Sequence, residues 1–207
     1  MTQQLLIDDA GRDNPDGRNE HDFYETPAFQ TRALLARVPI AGRVLEPCAG
    51  MGAICNVLLN RPGIRAVYMN EPFQPLGPCP MRLDATQPSS WARFPVVDWV
   101  ITNPTFELAS RIVPLAFEHA RVGIAFLLRI TWYEATKDRA EWLDAHPPDA
   151  IISLPRYKYR KDKGKHGDSA TTAWFVWLKQ GAGIVVRNSV RNSVVTRAEC
   201  KRLKVAE

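Results

Sequence analysis

The segment that most constrains this chain is Glu46-Pro47-Cys48-Ala49-Gly50-Met51-Gly52, set between a short apolar run, Arg43–Glu46, and a helical pattern, Ala53–Leu59. A strand that breaks on two glycines and restarts as a helix lets the backbone approach a ligand closely. It also leaves the N–H groups of the helix N-terminus facing that ligand. Such a turn fits a nucleotide-like molecule. The third glycine of the dinucleotide fingerprint is missing, and no Gly-Lys-Ser/Thr follows for a nucleoside triphosphate. Glu71 lies 19 residues beyond Gly52, at the end of the next apolar run, where a carboxylate can accept hydrogen bonds from ribose hydroxyls. The glycine turn and the acid at this distance say more together than either does alone.

Around that segment, short apolar runs alternate with helical periods, which predicts an α/β domain. Thr26 followed by Pro27 reads as a helix cap and first turn, with Phe29, Ala33, Leu34 and Val38 on the inner face. Strands are predicted at Arg43–Glu46, Ala66–Asn70, Met81–Leu83, Val96–Thr102, Val122–Arg129, Ala150–Leu154 and Thr172–Leu178. Helices are predicted at Ala53–Leu59, at Glu107–Ala120, where Pro114 must kink the helix or mark its true first turn, and at Lys137–Ala145, stopped by Pro147-Pro148. The repeated Val-Arg-Asn-Ser over 186–194 stands apart from this pattern.

Composition narrows the function classes. With 207 residues, 45% hydrophobic and 24% charged, the chain is long enough to bury a core without disulfides or a structural metal. No apolar run approaches the ~20 residues that span a bilayer, and the acidic N-terminus is unlike a secretory signal. A cytoplasmic location is expected. Cys48, Cys55, Cys79 and Cys200 form no CxxC pair, so free thiols and no metal site are expected. The net charge of +5 is unevenly divided. Residues 1–22 carry two arginines against six acids, whereas 156–169 and 180–207 each carry six cations against two acids. The expected organisation is a flexible acidic arm over 1–21, one domain over 22–179 and a basic C-terminal tail over 180–207. In the first basic stretch Arg156, Lys158, Arg160, Lys161, Lys163 and Lys165 interleave with Tyr157 and Tyr159. Alternating cations and aromatics suit phosphate contact and base stacking, which makes a nucleic acid the expected partner and these eight residues the expected contact.

The loop Glu46-Pro47-x-x-Gly50-x-Gly52 resembles motif I of S-adenosylmethionine-dependent methyltransferases. That resemblance implies a Rossmann-like class I fold, a seven-stranded, mostly parallel sheet with helices on both faces and S-adenosylmethionine as cofactor. Glu71 would then meet the cofactor's ribose. Asp84, in Leu83-Asp84-Ala85-Thr86, matches the family's acid at the adenine amine, although it can equally cap a turn. Asp22-Phe23-Tyr24-Glu25-Thr26-Pro27 resembles the D-x-Y-x-T-P motif of DNA adenine methyltransferases, which places Tyr24 and Thr26 at the cofactor's methionine end. Ser169–Trp177 is similar to the final strand of small phage- and prophage-type adenine methyltransferases.

Asn103-Pro104-Thr105-Phe106 resembles the (Asn/Asp)-Pro-Pro-aromatic motif of amino-group methyltransferases, with Thr105 in place of the second proline. An exocyclic amine on adenine is a poor nucleophile because its lone pair is delocalised into the ring. A site must therefore aim that lone pair at the methyl donor. The Asn103 side-chain oxygen and the Pro104 carbonyl would each accept one N–H, and Phe106 would stack on the base. The expected substrate is adenine N6 in DNA, double- or single-stranded, flipped from any duplex and read with short or relaxed specificity. Three alternatives stand beside it. They are an RNA adenine methyltransferase, a methyltransferase for protein glutamine, and a non-catalytic nucleic-acid-binding module that keeps the fold.

Overall fold

The computed structural model describes residues 25–72, 79–134, 136, 139–158, 169–184 and 188–205. Nine strands occur among them: β1 (Gly42–Glu46), β2 (Ile64–Met69), β3 (Trp99–Thr102), β4 (Gly123–Arg129), β5 (Ala150–Ser153), β6 (Tyr157–Lys158), β7 (Ser169–Ala170), β8 (Thr172–Leu178) and β9 (Asn192–Val194). The α-helices are α1 (Ala28–Leu35), α2 (Ala53–Leu59), α3 (Pro88–Trp91), α4 (Ala109–His119), α5 (Ala140–Ala145), α6 (Asn188–Arg191) and α7 (Arg197–Val205). None of them is long and apolar enough to cross a membrane.

Seven strands form one sheet in the order β2-β1-β3-β4-β8-β5-β9, and β6 with β7 makes a separate hairpin. Only β8 runs against its neighbours, pairing antiparallel with both β4 and β5. The remaining pairings in the large sheet are parallel. The central strands are buried on both faces, as parallel strands covered by crossover helices must be. Along β4, Ile124, Phe126 and Leu128 enter one core while Ala125 and Leu127 enter the other. Along β8 the same alternation sends Phe175 and Trp177 one way and Trp174 and Val176 the other. On one face Phe29, Ala33 and Leu34 of α1 and Ile54 and Leu58 of α2 join Val44 and Ile101. On the opposite face Trp91, Ile112, Val113, Ala116 and Leu143 pack on Val100, Phe126 and Phe175.

Five expectations are corrected. Met81–Leu83 is not a strand. It reduces to a single parallel bridge, Asn70 to Met81, because Leu83 N–H donates to the Asn70 side chain instead of a ladder carbonyl. The seventh strand is β9, at the opposite edge, so Asn192–Val194, beyond Lys179, belong to the sheet. They are anchored there by buried Val195 and Cys200. β3 begins at Trp99 and not at Val96, where the Asp98 carboxylate accepts from Arg43 N–H at 2.7 Å. α4 begins at Ala109 after a turn in which Leu108 N–H donates to the Thr105 carbonyl, and Pro114 lies well inside it. Thr26 does not cap α1. Pro27 takes the N-cap position, and the Thr26 hydroxyl faces elsewhere.

Candidate active site

The site is built at the carboxyl ends of β1, β2 and β3, where an open α/β sheet presents its loops. β1 ends on Glu46, which is 1% exposed. Its Oε2 accepts from Cys55 N–H at 3.2 Å and lies 2.7 Å from Cys55 Sγ, which fastens the first turn of α2 under the loop. Burial raises the Glu46 carboxyl to about 8 from 4.5, so at neutral pH it is held largely protonated. Burial also pushes the Cys48 and Cys55 thiols up, leaving neither a reactive thiolate. Above them, Gly50 at φ 52° and Gly52 at φ 80° adopt the left-handed conformation that other residues resist. A Cβ on Gly52 would meet only the tip of the flexible Met69 side chain, at 2.9 Å, so the backbone conformation is what restricts this position.

Two polar residues at the end of β2 hold this loop. Glu71 Oε2 accepts from Gly50 N–H at 2.8 Å, which sets a carboxylate at the lip of the glycine turn. Asn70, fully buried, donates through Nδ2 to the Pro47 and Leu83 carbonyls, each at 2.8 Å, and accepts from Leu83 N–H at 2.7 Å. It therefore joins the loop after β1 to the segment that carries Asp84. The sequence marks Asn70 only as a strand end. Its signal was a polar residue closing an apolar strand, since a buried amide must find partners. Asp84 itself forms the local turn weighed as its alternative: Oδ1 accepts from the Thr86 hydroxyl at 2.7 Å and from Thr86 N–H at 2.9 Å. The Thr86 hydroxyl is the main cause that holds the Asp84 carboxyl below the usual range.

Asn103 follows β3, and its Nδ2 donates to Thr26 Oγ1 at 3.0 Å across 77 residues of sequence. Thr26 is only 5% exposed and Asn103 is half-buried, so the bond is partly shielded from water. With the amide nitrogen held by Thr26, the Asn103 Oδ1 is the end left to accept. Pro104 is buried, and Phe106 is half-buried with the Arg129 guanidinium carbon 5.0 Å from its ring centroid. Arg129 ends β4, and sequence reasoning missed it because only the parallel pairing of β3 with β4 brings it beside the tetrapeptide. The Thr105 hydroxyl is buried without a hydrogen-bond partner among the described residues.

The structure thus brings Thr26, Glu46, Pro47, Gly50, Gly52, Glu71 and Asn103–Phe106 to the carboxyl end of the sheet, with Asp84 linked to the loop through Asn70. Of the basic stretch, Arg156 is exposed, and Tyr157 packs its ring 5.7 Å from that of Phe29. Lys158 is placed by its backbone in β6. Tyr24, Tyr159, Arg160, Lys161, Lys163 and Lys165 lie outside the described residues, as does the acidic segment 1–21.

Glycines that admit a close ligand, an acid fixed 2.8 Å from their backbone and a helix N-terminus behind them fit a ribose-bearing cofactor. No family model matches the sequence, and no curated protein matches it. Solved structures do match the fold. One is a provisionally named class I S-adenosylmethionine-dependent methyltransferase from Listeria monocytogenes, 14% identical with a TM-score of 0.58, covering 87% of this chain and 71% of that one. A second is the methyltransferase subunit of a type I restriction-modification system from Streptococcus thermophilus, 12% identical with a TM-score of 0.57, covering 87% and 52%. A third is the modification subunit of a provisionally named type I restriction enzyme from Vibrio vulnificus, 12% identical with a TM-score of 0.52, covering 75% and 44%. The chain spans about half the length of these two subunits. Its fold is the Rossmann-like fold of class I S-adenosylmethionine-dependent methyltransferases.

Proposed function

We propose that this chain transfers a methyl group from S-adenosylmethionine to the N6 amine of adenine in DNA. The observation that carries this reading is the 3.0 Å bond from Asn103 Nδ2 to Thr26 Oγ1, which fixes the amide with its oxygen as the acceptor. Bound in the glycine turn, the cofactor supplies an electrophilic sulfonium methyl. Gly50 and Gly52 admit it without Cβ interference, and Glu71 accepts from its ribose hydroxyls. Asn103 Oδ1 and the Pro104 carbonyl each accept one N–H of the adenine amine, which favours a pyramidal nitrogen with its lone pair directed at the methyl. These fixed acceptors also stabilise the positive charge that develops on nitrogen. Phe106 supplies a flat apolar face for the base, and Arg129 holds that ring from one side. Two restriction-modification subunits among the fold's neighbours favour DNA as the substrate.

The test is incubation of the full chain with methyl-labelled S-adenosylmethionine and, in parallel, duplex DNA, single-stranded DNA, RNA and protein, followed by digestion and nucleoside analysis. The expected product is N6-methyldeoxyadenosine, lost in Asn103→Ala while cofactor affinity is retained. Label in RNA or glutamine alone would reassign the substrate. Cofactor binding with no transfer to any acceptor would identify a binding module.

A further inference from the structure

The helix α7 presents a cationic face that the catalytic reading does not use. Arg197, Lys201 and Lys204 recur at i, i+4 and i+7, which aligns them along one side of the helix. All three are exposed. Over seven residues at 1.5 Å each the row spans about 10 Å, the length of roughly three nucleotide steps at about 3.4 Å per step.

Two features separate this row from an ordinary solvated helix. First, the one acid described in α7 is engaged elsewhere. Glu199 is gripped by Arg37, with Nη1 2.8 Å from Oε1 and Nη2 2.9 Å from Oε2. That fork joins α7 to the residues just past α1, and Arg37 Nε also donates to Ser193 of β9 at 3.2 Å. Second, helix stability does not account for the pattern. Lys204 in the last turn complements the helix dipole, but Arg197 at the first helical position opposes it.

The position of the row matters as much as its charge. Arg32 Nη1 donates to the Leu203 carbonyl at 2.8 Å, and Lys204 Nζ sits 5.1 Å from the Phe29 ring centroid, so the last turn of α7 packs on α1. Phe29 lies three residues from Thr26, the partner of Asn103, and it also carries the ring of Tyr157. The row therefore ends where the basic stretch from Arg156 begins, beside the segment that orients the catalytic amide.

We infer that Arg197, Lys201 and Lys204 form the surface that takes the phosphate backbone of the nucleic-acid substrate and leads it to the site. This rests on the nucleic-acid reading above and assigns the docking surface to α7. Contacts of this kind carry affinity and register but little sequence information, in keeping with a short target.

The test uses the full chain and the triple variant R197Q/K201Q/K204Q, with affinity for a fluorescent 20-nucleotide duplex or single strand followed against salt. Three lost phosphate contacts should lower the slope of log affinity against log salt by about 2.7 on duplex and about 2.1 on single strand. Between 50 and 200 mM salt, wild-type affinity should then fall about 40-fold more than that of the variant on duplex and about 18-fold more on single strand. Cofactor binding should be unchanged, any fall in the thermal midpoint should be matched by K204Q alone through its lost contact with Phe29, and the charge-keeping triple R197K/K201R/K204R should retain the wild-type slope. Equal slopes in wild type and the glutamine triple would overturn the inference, as would wild-type binding to vesicles containing 30% phosphatidylserine with none to nucleic acid. The enzymatic reading fails separately: Asn103→Ala should keep the full salt slope while losing methyl transfer, and equal slopes with intact transfer would sink the docking surface alone.

Discussion

Replacing Thr26 with valine isolates the bond on which the proposed mechanism turns. Valine keeps the shape of the side chain in a position only 5% exposed and removes the acceptor 3.0 Å from Asn103 Nδ2. The bond itself contributes about 0.5 to 1.5 kcal/mol, and the amide N–H left without a partner in a partly shielded place raises the total to about 1 to 3 kcal/mol. If that energy serves to aim Asn103 Oδ1 at the adenine amine, its loss appears in the transition state, and kcat should fall about 10-fold at 1.4 kcal/mol per decade. Cofactor affinity should hardly move. Asn103→Ala removes the acceptor itself and should cost about 100- to 1,000-fold, the scale of deleting one preorganised hydrogen-bonding group from an active site.

The two changes must then be combined. Because Thr26 acts through Asn103, T26V should have no further effect in the N103A background, a coupling of about 1 kcal/mol or more in a double-mutant cycle. Thr26→Ser keeps the hydroxyl and should restore kcat. Single-turnover transfer of labelled methyl to DNA measures all five proteins, wild type included, and a thermal melt separates a stability loss from a catalytic one. Additive effects, or a T26V enzyme at wild-type kcat, would show that the 3.0 Å bond has no part in orienting the amide.

Further predictions follow from the loop and the ring. Glu71→Gln keeps an acceptor for Gly50 N–H but removes its charge, and calorimetry should find S-adenosylmethionine bound about 10- to 100-fold more weakly; unchanged affinity would place the ribose elsewhere. Glu46 has its carboxyl raised to about 8 from 4.5, so between those values the folded state holds a proton that the unfolded chain releases, and stability must fall as pH rises through that window. Glu46→Gln should flatten this slope in denaturant titrations from pH 5 to 9, and parallel profiles would refute the assignment. Arg129→Met removes the cation from the Phe106 face, about 0.5 to 2 kcal/mol, and should raise KM for DNA more than it lowers kcat; an equal fall in kcat and kcat/KM would make Arg129 part of the transition state instead.

What the sequence disclosed and what it concealed divide along one physical line. Dense apolar runs and the two-glycine turn specify their structure locally, and so the predicted bounds of α2 (Ala53–Leu59) and of the strand Thr172–Leu178 coincide with those observed. Polar segments take their structure from distant partners. Asn192-Ser193-Val194 has no apolar alternation, yet it completes the sheet because Arg37 binds Ser193 and Glu199, 156 and 162 residues away. Met81–Leu83 has the apolar ends of a strand, but the side chain of Asn70 takes the place of its ladder. Thr26 and Asp84 show why residue type alone cannot settle the matter. Both are residues that cap helices and close turns, and both sit where such a cap would serve. Asp84 does bond its near neighbour Thr86, whereas Thr26 leaves its helix to Pro27 and reaches Asn103. The difference lies in what stands opposite each hydroxyl or carboxylate once the sheet has formed. The parallel sheet carries the carboxyl end of β3 to the start of α1, where the half-buried amide of Asn103 meets the buried Thr26. A sequence can therefore name the tetrapeptide, but the threonine that orients its asparagine becomes visible only when the strand order is known.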